Sequence, residues 1–564
     1  MVPKLSLIHG PKEPEIWSNK TLCDIIDEQT NRYADRPMLI VPWQSTRLSY
    51  HDLAERSKTV AKAMLHFGLR HGDCIGIMDG NSCEYIEVFL GAARIGCPAV
   101  VLNNTYTPDE LKNAVYQSSC KTVFITPGIG TRSLIGHIKL LQSAKQRGPD
   151  LRDLQQVVYL RGNVGGLAGG MIQSYTSFIA QGHSRDKDTL LEQATKMLAP
   201  EDVLNLQFTS GTTGNILNNA RFVGDAMRLT PDDIVCCGPP LFHCFGLVLG
   251  FLASFCYGSS IVFPSDYFRA SSVVDALLNE NPTVLLGVPT MLVAELEVLS
   301  KTGQKPRRLR TGLASGSAVS QVLMNEIRER MGVDKMLIAY GMTETSPVSF
   351  ITSLDDPDQK RISTIGRVMP HTSAKVIDKE GNILPRGQRG ELCISGYALQ
   401  KGYWKNEEKT REVMRQDENG VLWMYTGDEV MIDEAGYAHI TGRIKDLIIR
   451  GGENIFPREI EDRLASHPNI TEASVVGIRD ERYGEVVGCF LKAAMCCHKI
   501  PDNEIRKWVE RKLGRHKSPS YVFWIGDTGV GNDFPKTGSG KHQKHILRDI
   551  GNRLAGHTKT RARL

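Results

Sequence analysis

From Thr21 onward, short uninterrupted apolar runs alternate with stretches of helical periodicity, and this alternation limits the fold more than any other feature of the chain. Residues 38–41, 74–78 and 98–102 read as strands, and residues 52–66 and 84–95 as helices. Strands that are apolar at consecutive positions are covered on both faces, as in parallel sheets flanked by helices. A further helix is expected to open at Thr107, where Thr107 caps, Pro108 suits the first turn and Glu110 completes a capping box. After a glycine-rich stretch at 162–170 the alternation resumes. Strands are expected near 234–236, 260–263, 284–288, 309–314 and 336–340, with helices at 272–278 and 319–330 between them. The fold class is therefore α/β, a doubly wound body.

From about residue 373 the pattern changes to short strands with turn signals, an antiparallel and β-barrel-like part running to 442. A third zone, 443–550, reads as a small α+β lobe, with helices at 458–466 and 503–513 and strands at 473–478, 486–493 and 521–525. Residues 551–564 form a basic tail. The expected organisation is thus a large N-terminal domain, 1–442, and a small C-terminal domain. A chain of 564 residues needs several lobes at roughly 100–200 residues each.

Composition narrows the function. The chain is 41% hydrophobic and 23% charged with a net charge of +5, too small an excess for a nucleic-acid-coating surface. Its 13 cysteines include no C-x-x-C pair, so neither a zinc site nor a disulfide framework is signalled. Their odd number, and Met1 followed by Val2-Pro3-Lys4 instead of an apolar leader, favour a reducing interior. Residues 241–263 contain no Asp, Glu, Lys or Arg, long enough to raise the question of a membrane span. His243 and three glycines in that stretch fit a buried helix feeding a buried strand better, and no transmembrane segment is expected.

Four segments carry chemistry. Thr209-Ser210-Gly211-Thr212-Thr213-Gly214 follows an apolar run. It combines a freely turning backbone with hydroxyl donors suited to phosphate oxygens, and it is not a G-x-x-x-x-G-K-[ST] loop. Tyr340-Gly341-Met342-Thr343-Glu344-Thr345 lies at the carboxyl end of an expected parallel strand, where α/β proteins bind ligands. There a hydroxyl can bond a phosphate and a carboxylate can hold Mg²⁺. Tyr425-Thr426-Gly427-Asp428, followed by Gly442-Arg443-Ile444-Lys445-Asp446, offers a carboxylate for ribose hydroxyls and an arginine donor. Pro535-Lys536-Thr537-Gly538-Ser539-Gly540-Lys541 places a lysine on a glycine-rich loop. Taken singly, each string also fits an ordinary turn or a solvated surface.

Together and in this order, the four resemble the adenylate-forming (AMP-binding) superfamily, acyl-CoA synthetase/ligase branch, over nearly the whole chain. Pro239-Pro240-Leu241-Phe242-His243, Gly287-Val288-Pro289-Thr290, Ala314-Ser315-Gly316-Ser317-Ala318, the run Arg389–Gly396 with Tyr397, Gly402-Tyr403-Trp404, and Gly451-Gly452-Glu453-Asn454 extend the likeness. The resemblance implies that a carboxylic acid attacks the α-phosphorus of ATP to give an acyl-adenylate, from which CoA then displaces AMP. It implies ATP, Mg²⁺ and CoA. By the same analogy, Thr343 contacts the α-phosphate and Glu344 binds Mg²⁺. Thr209 to Gly214, Ser315, Gly316, Ser317, Tyr340 and Gly341 surround the nucleotide, and Asp428 and Arg443 hold the ribose. Lys541 bridges phosphate and carboxylate, and Lys445 is a hinge on which the small lobe turns. Gly451, Gly452 and His243 border the acyl and thiol passages; for His243 a purely packing role fits the sequence equally well.

The pattern breaks once. In relatives the hydroxyl-rich loop continues with x-Pro-Lys and about ten residues before the next helix, whereas Gly214-Asn215 runs straight into Ile216-Leu217-Asn218-Asn219. A compact deletion fits, because matching resumes at Arg221. Either the molecule has lost a phosphate-contacting lysine or the sequence is an imperfect translation of its gene; if the loss is real, weaker ATP binding is expected, and with it a second reading as a catalytically impaired nucleotide- or acyl-binding homologue. A third reading loads the acid onto a carrier protein in place of CoA. The expected acid is medium or long, aliphatic, hydroxylated or from specialised metabolism, with Phe245, Leu285, Val288 and Leu292 as candidate acyl-pocket residues. The final Ala562-Arg563-Leu564 resembles a peroxisomal import signal, so a peroxisomal import receptor and a peroxisomal location are expected.

Overall fold

The apolar runs pair side by side into parallel sheets that fix where the motif loops emerge. The structure is a computed structural model that describes residues 3–561 apart from 148–150, 185–186, 208–209, 317–318, 320, 451–452, 481, 495–497 and 538–539. Among the described residues, one seven-stranded sheet is centred on Thr122–Ile125, Ile75–Met78 and Ala99–Val101. A nine-stranded sheet has Lys335–Gly341, Thr311–Ser315, Val284–Gly287, Ile234–Cys237 and Ser260–Val262 as consecutive parallel neighbours. Helices Tyr50–His66 and Cys83–Ala93 pack in a shared core with Phe89, Phe251 and Phe255. Every residue of Cys83–Ala93 except Glu84 is buried, which is why its hydrophobicity runs all round the helix.

Local chemistry sets the helix starts. Capping boxes form at Thr21 with Asp24, Ser49 with Asp52, and Thr107 with Glu110, the last as its sequence predicts. The charge-free stretch becomes a π-helix, Phe245–Leu252, buried at every position, then a short α-helix and the strand Ser260–Val262. Among the described residues no helix is long and apolar enough to cross a membrane. The helix expected at 319–330 is instead Gln321–Glu326 followed by a π-turn, Ile327–Met331.

The antiparallel part is a six-stranded sheet in which Arg389–Gly396 pairs with Leu422–Ile432, and Leu422–Ile432 with Ala438–Arg443. The amino-terminal strand Leu7–His9 closes onto Thr372–Ile377, a pairing across most of the chain that no local pattern announces. Arg443 ends the last strand of this sheet, Ile444–Asp446 makes one helical turn, and Ile448–Arg450 already belongs to the C-terminal sheet. In that sheet Ile470–Asp480 and Gly484–Ala493 form a long antiparallel pair, covered by helices Pro457–Ala465 and Lys544–Arg561. The eleven cysteines among the described residues are buried and free.

One core position works against stability. Glu295, on helix Pro289–Thr302, is 0% exposed, and among the described residues neither carboxylate oxygen has a hydrogen-bond partner. Burial pushes its pKa up to about 8, so it is packed as the neutral acid at neutral pH. An acid whose folded pKa lies above its unfolded value stabilises fully below the unfolded pKa and loses that contribution as pH rises toward the folded one. Glu295→Met is therefore expected to raise the thermal midpoint at pH 8, by an increment that shrinks toward pH 5. Calorimetry at the two pH values checks this, and an equal increment at both contradicts it.

Candidate active site

Three adjacent parallel strands end at one edge of the nine-stranded sheet, and the residues that follow them converge there. Lys335–Gly341 delivers Tyr340 and Gly341, Thr311–Ser315 delivers Ser315 and Gly316, and Val284–Gly287 delivers Val288 and Thr290. A register shift between Tyr340 and Gly341 turns the chain into the single turn Thr343–Thr345. A Cβ on Gly341 would overlap the Pro347 carbonyl, so only glycine permits this turn. Ser315 is tied down by donating from Oγ to the Ala339 carbonyl at 2.9 Å.

The antiparallel sheet supplies the second wall. Asp428 and Arg443 face each other directly across its last strand pair. Asp428 is 3% exposed, and its Oδ2 accepts from Tyr340 Oη at 2.6 Å. Arg443 Nε lies 3.1 Å from Oδ1, yet not aligned as a hydrogen bond, and among the described residues Oδ1 has no hydrogen-bond partner. Burial raises the Asp428 pKa, while Arg443, Tyr340 and Lys541 act to lower it. Burial and the neighbouring Asp428 push the Tyr340 phenol far upward, so it remains a donor.

Thr343 and Glu344 fill the space between the walls. Glu344 Oε1 accepts from Tyr403 Oη at 2.9 Å, and its backbone carbonyl accepts from Gln400 N–H at 2.8 Å. Among the described residues its Oε2 accepts no hydrogen bond. The Cys244 thiol, 8% exposed, lies 3.8 Å from His243 Nδ1; burial raises its pKa, and Thr343 acts to lower it. His243 Nδ1 accepts from Phe245 N–H at 3.1 Å, which leaves its proton on Nε2. Burial and the Lys541 charge hold its pKa down to about 4.

The small lobe closes the site. A Cβ on Gly540 would sit 3.1 Å from Thr290 Oγ1 and 3.2 Å from Val288 Cγ2, and Lys541 Cε is 3.8 Å from where a Cβ on Gly316 would be. Gly540 has φ +83°, which lets the backbone come this close. Burial and Arg443 lower the Lys541 pKa, while Cys244, Asp428 and Glu344 oppose that shift. A lysine from the far end of the chain thus meets residues of the large domain. Lys445 is exposed in the one-turn link between the two sheets.

Not every expected residue is placed. Thr209, Ser317, Gly451 and Gly452 lie outside the described residues. The glycine-rich segment is less of a loop than its composition predicts: Ser210–Thr212 pairs antiparallel with Val203–Leu206, and Thr213 and Gly214 already open helix Thr213–Met227. Leu285 and Leu292, candidates for an acyl pocket, are instead 0% exposed in the core beneath the site. Sequence reasoning did not single out Cys244 and Gln400, which neither spacing nor composition marks.

The neutral His243 makes stability pH-dependent. Its folded pKa lies below the unfolded value, so the stability it contributes is complete above pH 6.5 and is lost as pH falls toward 4. The slope is at most about 1.4 kcal/mol per pH unit. His243→Gln is expected to flatten that decline in urea unfolding series run across the interval, and an unchanged slope contradicts the assignment.

A family model described as AMP-binding enzyme matches residues 26–404, and one described as AMP-binding enzyme C-terminal domain matches residues 459–541. Acyl-CoA ligase sidI of Beauveria bassiana is 46% identical over 567 residues, covering 98% of this chain and 95% of that protein. Acyl-CoA ligase cnsG of Penicillium expansum is 42% identical, covering 97% of each. The crystal structure of the anthranilate CoA ligase AuaEII in complex with anthranoyl-AMP superposes with a TM-score of 0.81 at 22% identity, covering 96% of this chain and 98% of that one.

Proposed function

The chain belongs to the AMP-binding enzyme family, and from that premise we propose that it is an acyl-CoA ligase that activates a carboxylic acid with ATP and transfers the acyl group to CoA. The observation that carries this reading is the approach of Lys541 to Gly316 across two lobes, within the electrostatic influence of Asp428 and Glu344. A carboxylate is a poor electrophile, so the acid first attacks the α-phosphorus: an acyl–oxygen–phosphorus link forms and the bond to pyrophosphate breaks. The CoA thiol then attacks the acyl carbon, AMP leaves and the thiol proton passes to solvent.

In this scheme the protein's task is alignment and charge stabilisation. Asp428 Oδ1, buried and without a hydrogen-bond partner among the described residues, accepts from ribose hydroxyls, with Tyr340 fixing the carboxylate from its other oxygen. Thr343 faces the α-phosphate. The open Oε2 of Glu344 and the Thr343 hydroxyl are hard oxygen donors that fit a Mg²⁺ accompanying the triphosphate, where the ion would neutralise phosphate charge. Lys541 places its ammonium against the developing negative charge. The acid is medium-length or longer and enters beside His243, where the π-helix Phe245–Leu252 is apolar throughout.

The experiment supplies ATP, Mg²⁺ and a panel of carboxylic acids to the purified chain and follows pyrophosphate and AMP with and without CoA. Acid-dependent pyrophosphate release with turnover only when CoA is present is expected; no release with any acid would overturn the reading. A unit charge at ~4 Å in an effective dielectric near 20 is worth about 4 kcal/mol, so Lys541→Ala should slow adenylation about a thousandfold. Conversion of preformed acyl-adenylate to thioester should persist. Inserting a Pro-Lys-containing segment after Gly214 should lower KM for ATP by roughly tenfold, the scale of one charge-assisted contact. An unchanged KM would show that the hairpin does without it.

A further inference from the structure

The loop that carries Lys541 is a hairpin pinned from behind. Lys536 and His542 are bridge partners across it, Gln543 N–H donates to the Pro535 carbonyl at 2.8 Å, and Thr537 N–H to the Lys541 carbonyl at 2.8 Å. At the tip Gly540 N–H donates to the Thr537 carbonyl at 2.8 Å, and Lys541 N–H to Thr537 Oγ1 at 3.1 Å. Side chains alternate between the two faces of a hairpin. Lys536 and His542 therefore share one face, and Lys541, next to His542, projects from the other.

The shared face lands on a single carboxylate. Glu472, on strand Ile470–Asp480, has Oε2 2.7 Å from Lys536 Nζ and 3.1 Å from His542 Nε2. Its Oε1 is 3.3 Å from Lys492 Nζ, the residue directly opposite in the strand pair, and Lys492 also reaches Asp533 Oδ1 at 3.0 Å, just ahead of the hairpin. The Phe534 ring stacks on His542 at 4.2 Å. One acid thus ties both arms of the hairpin to the rigid sheet of the small lobe. Burial alone would raise its pKa, but the His542 and Lys536 hydrogen bonds prevail and hold it to about 2, so the clamp stays charged across the working pH range.

We propose that Glu472 is the positioning residue for Lys541, clamping both arms of the hairpin so that the lysine is presented pre-shaped to the adenylation site. The inference rests on the ligase reading given above. Glu472 touches no reacting atom, and its effect is confined to the step that uses Lys541. Both the clamp and the hairpin belong to the small lobe, so a turn of that lobe carries the lysine as one unit.

The test uses the full chain and Glu472→Gln, which keeps the shape and removes the charge. Three measurements are made: single-turnover adenylation with ATP, thioester formation from preformed acyl-adenylate and CoA, and the rate of tryptic cleavage after Lys536 and Lys541 read by mass spectrometry. Adenylation is expected to fall by roughly tenfold to a hundredfold, the scale of one or two charge-assisted contacts, with KM for ATP and acid unchanged. Thioester formation should keep its rate, and cleavage at the two lysines should accelerate at least as much as adenylation slows. Glu472→Asp should recover part of the loss. Adenylation at the parent rate, or equal loss in both half-reactions, overturns the proposal. If the parent chain performs neither half-reaction, the ligase reading fails instead, and the cleavage rates still decide the clamp: equal rates in parent and Glu472→Gln reject it.

Discussion

Asp428 is the residue on which the site depends. Its carboxylate is buried where the antiparallel sheet meets the end of the nine-stranded one, and such a charge is costly unless bonded or paired. Tyr340, from the parallel sheet, bonds one oxygen, and Arg443, from the neighbouring antiparallel strand, stands beside the other. The bond to Tyr340 fixes two sheets of different construction against each other. The oxygen left without a hydrogen bond points to a ligand with hydroxyl donors, because buried polar atoms in folded proteins rarely go unpaired.

Charge balance explains the rest of the geometry. Lys541 and Arg443 are brought together although they repel, and Asp428 and Glu344 oppose that repulsion. Burial contributes most to the depressed lysine pKa, and an anion placed beside the ammonium would restore its charged form. The cost is carried by the small lobe, whose sheet and Glu472 clamp hold the lysine hairpin in shape while the link at Ile444–Asp446 joins the two bodies. His243, neutral beside Lys541, adds no further positive charge there.

Much of this was legible in the sequence, for physical reasons. Continuous apolar strands, capping boxes and turn glycines are local signals, so the parallel body, the helix start at Pro108 and the lobe after Arg443 could be read directly. The motif residues were legible because strand ends in a parallel sheet gather at one edge. Long-range pairings were not: Leu7–His9 against Thr372–Ile377 depends on a partner that no neighbouring residue specifies. The π-helical winding of Phe245–Leu252 escaped because a uniformly apolar stretch has no periodicity to read. The core placement of Leu285 and Leu292 could not be told from pocket lining, since both need the same residue types. The pairing of Ser210–Thr212 with Val203–Leu206 was not legible either, because a segment rich in glycine and hydroxyls reads as a turn and not as a strand.

The most direct test of Asp428 as a nucleotide-binding residue is a calorimetric titration of the chain with AMP and with 2′,3′-dideoxy-AMP. If the ribose hydroxyls pair with the open Oδ1, removing them strands a buried carboxylate oxygen, and the dideoxy nucleotide should bind about tenfold or more weakly. Equal affinity for the two nucleotides would contradict this and would leave the buried carboxylate as a purely structural bond between the sheets.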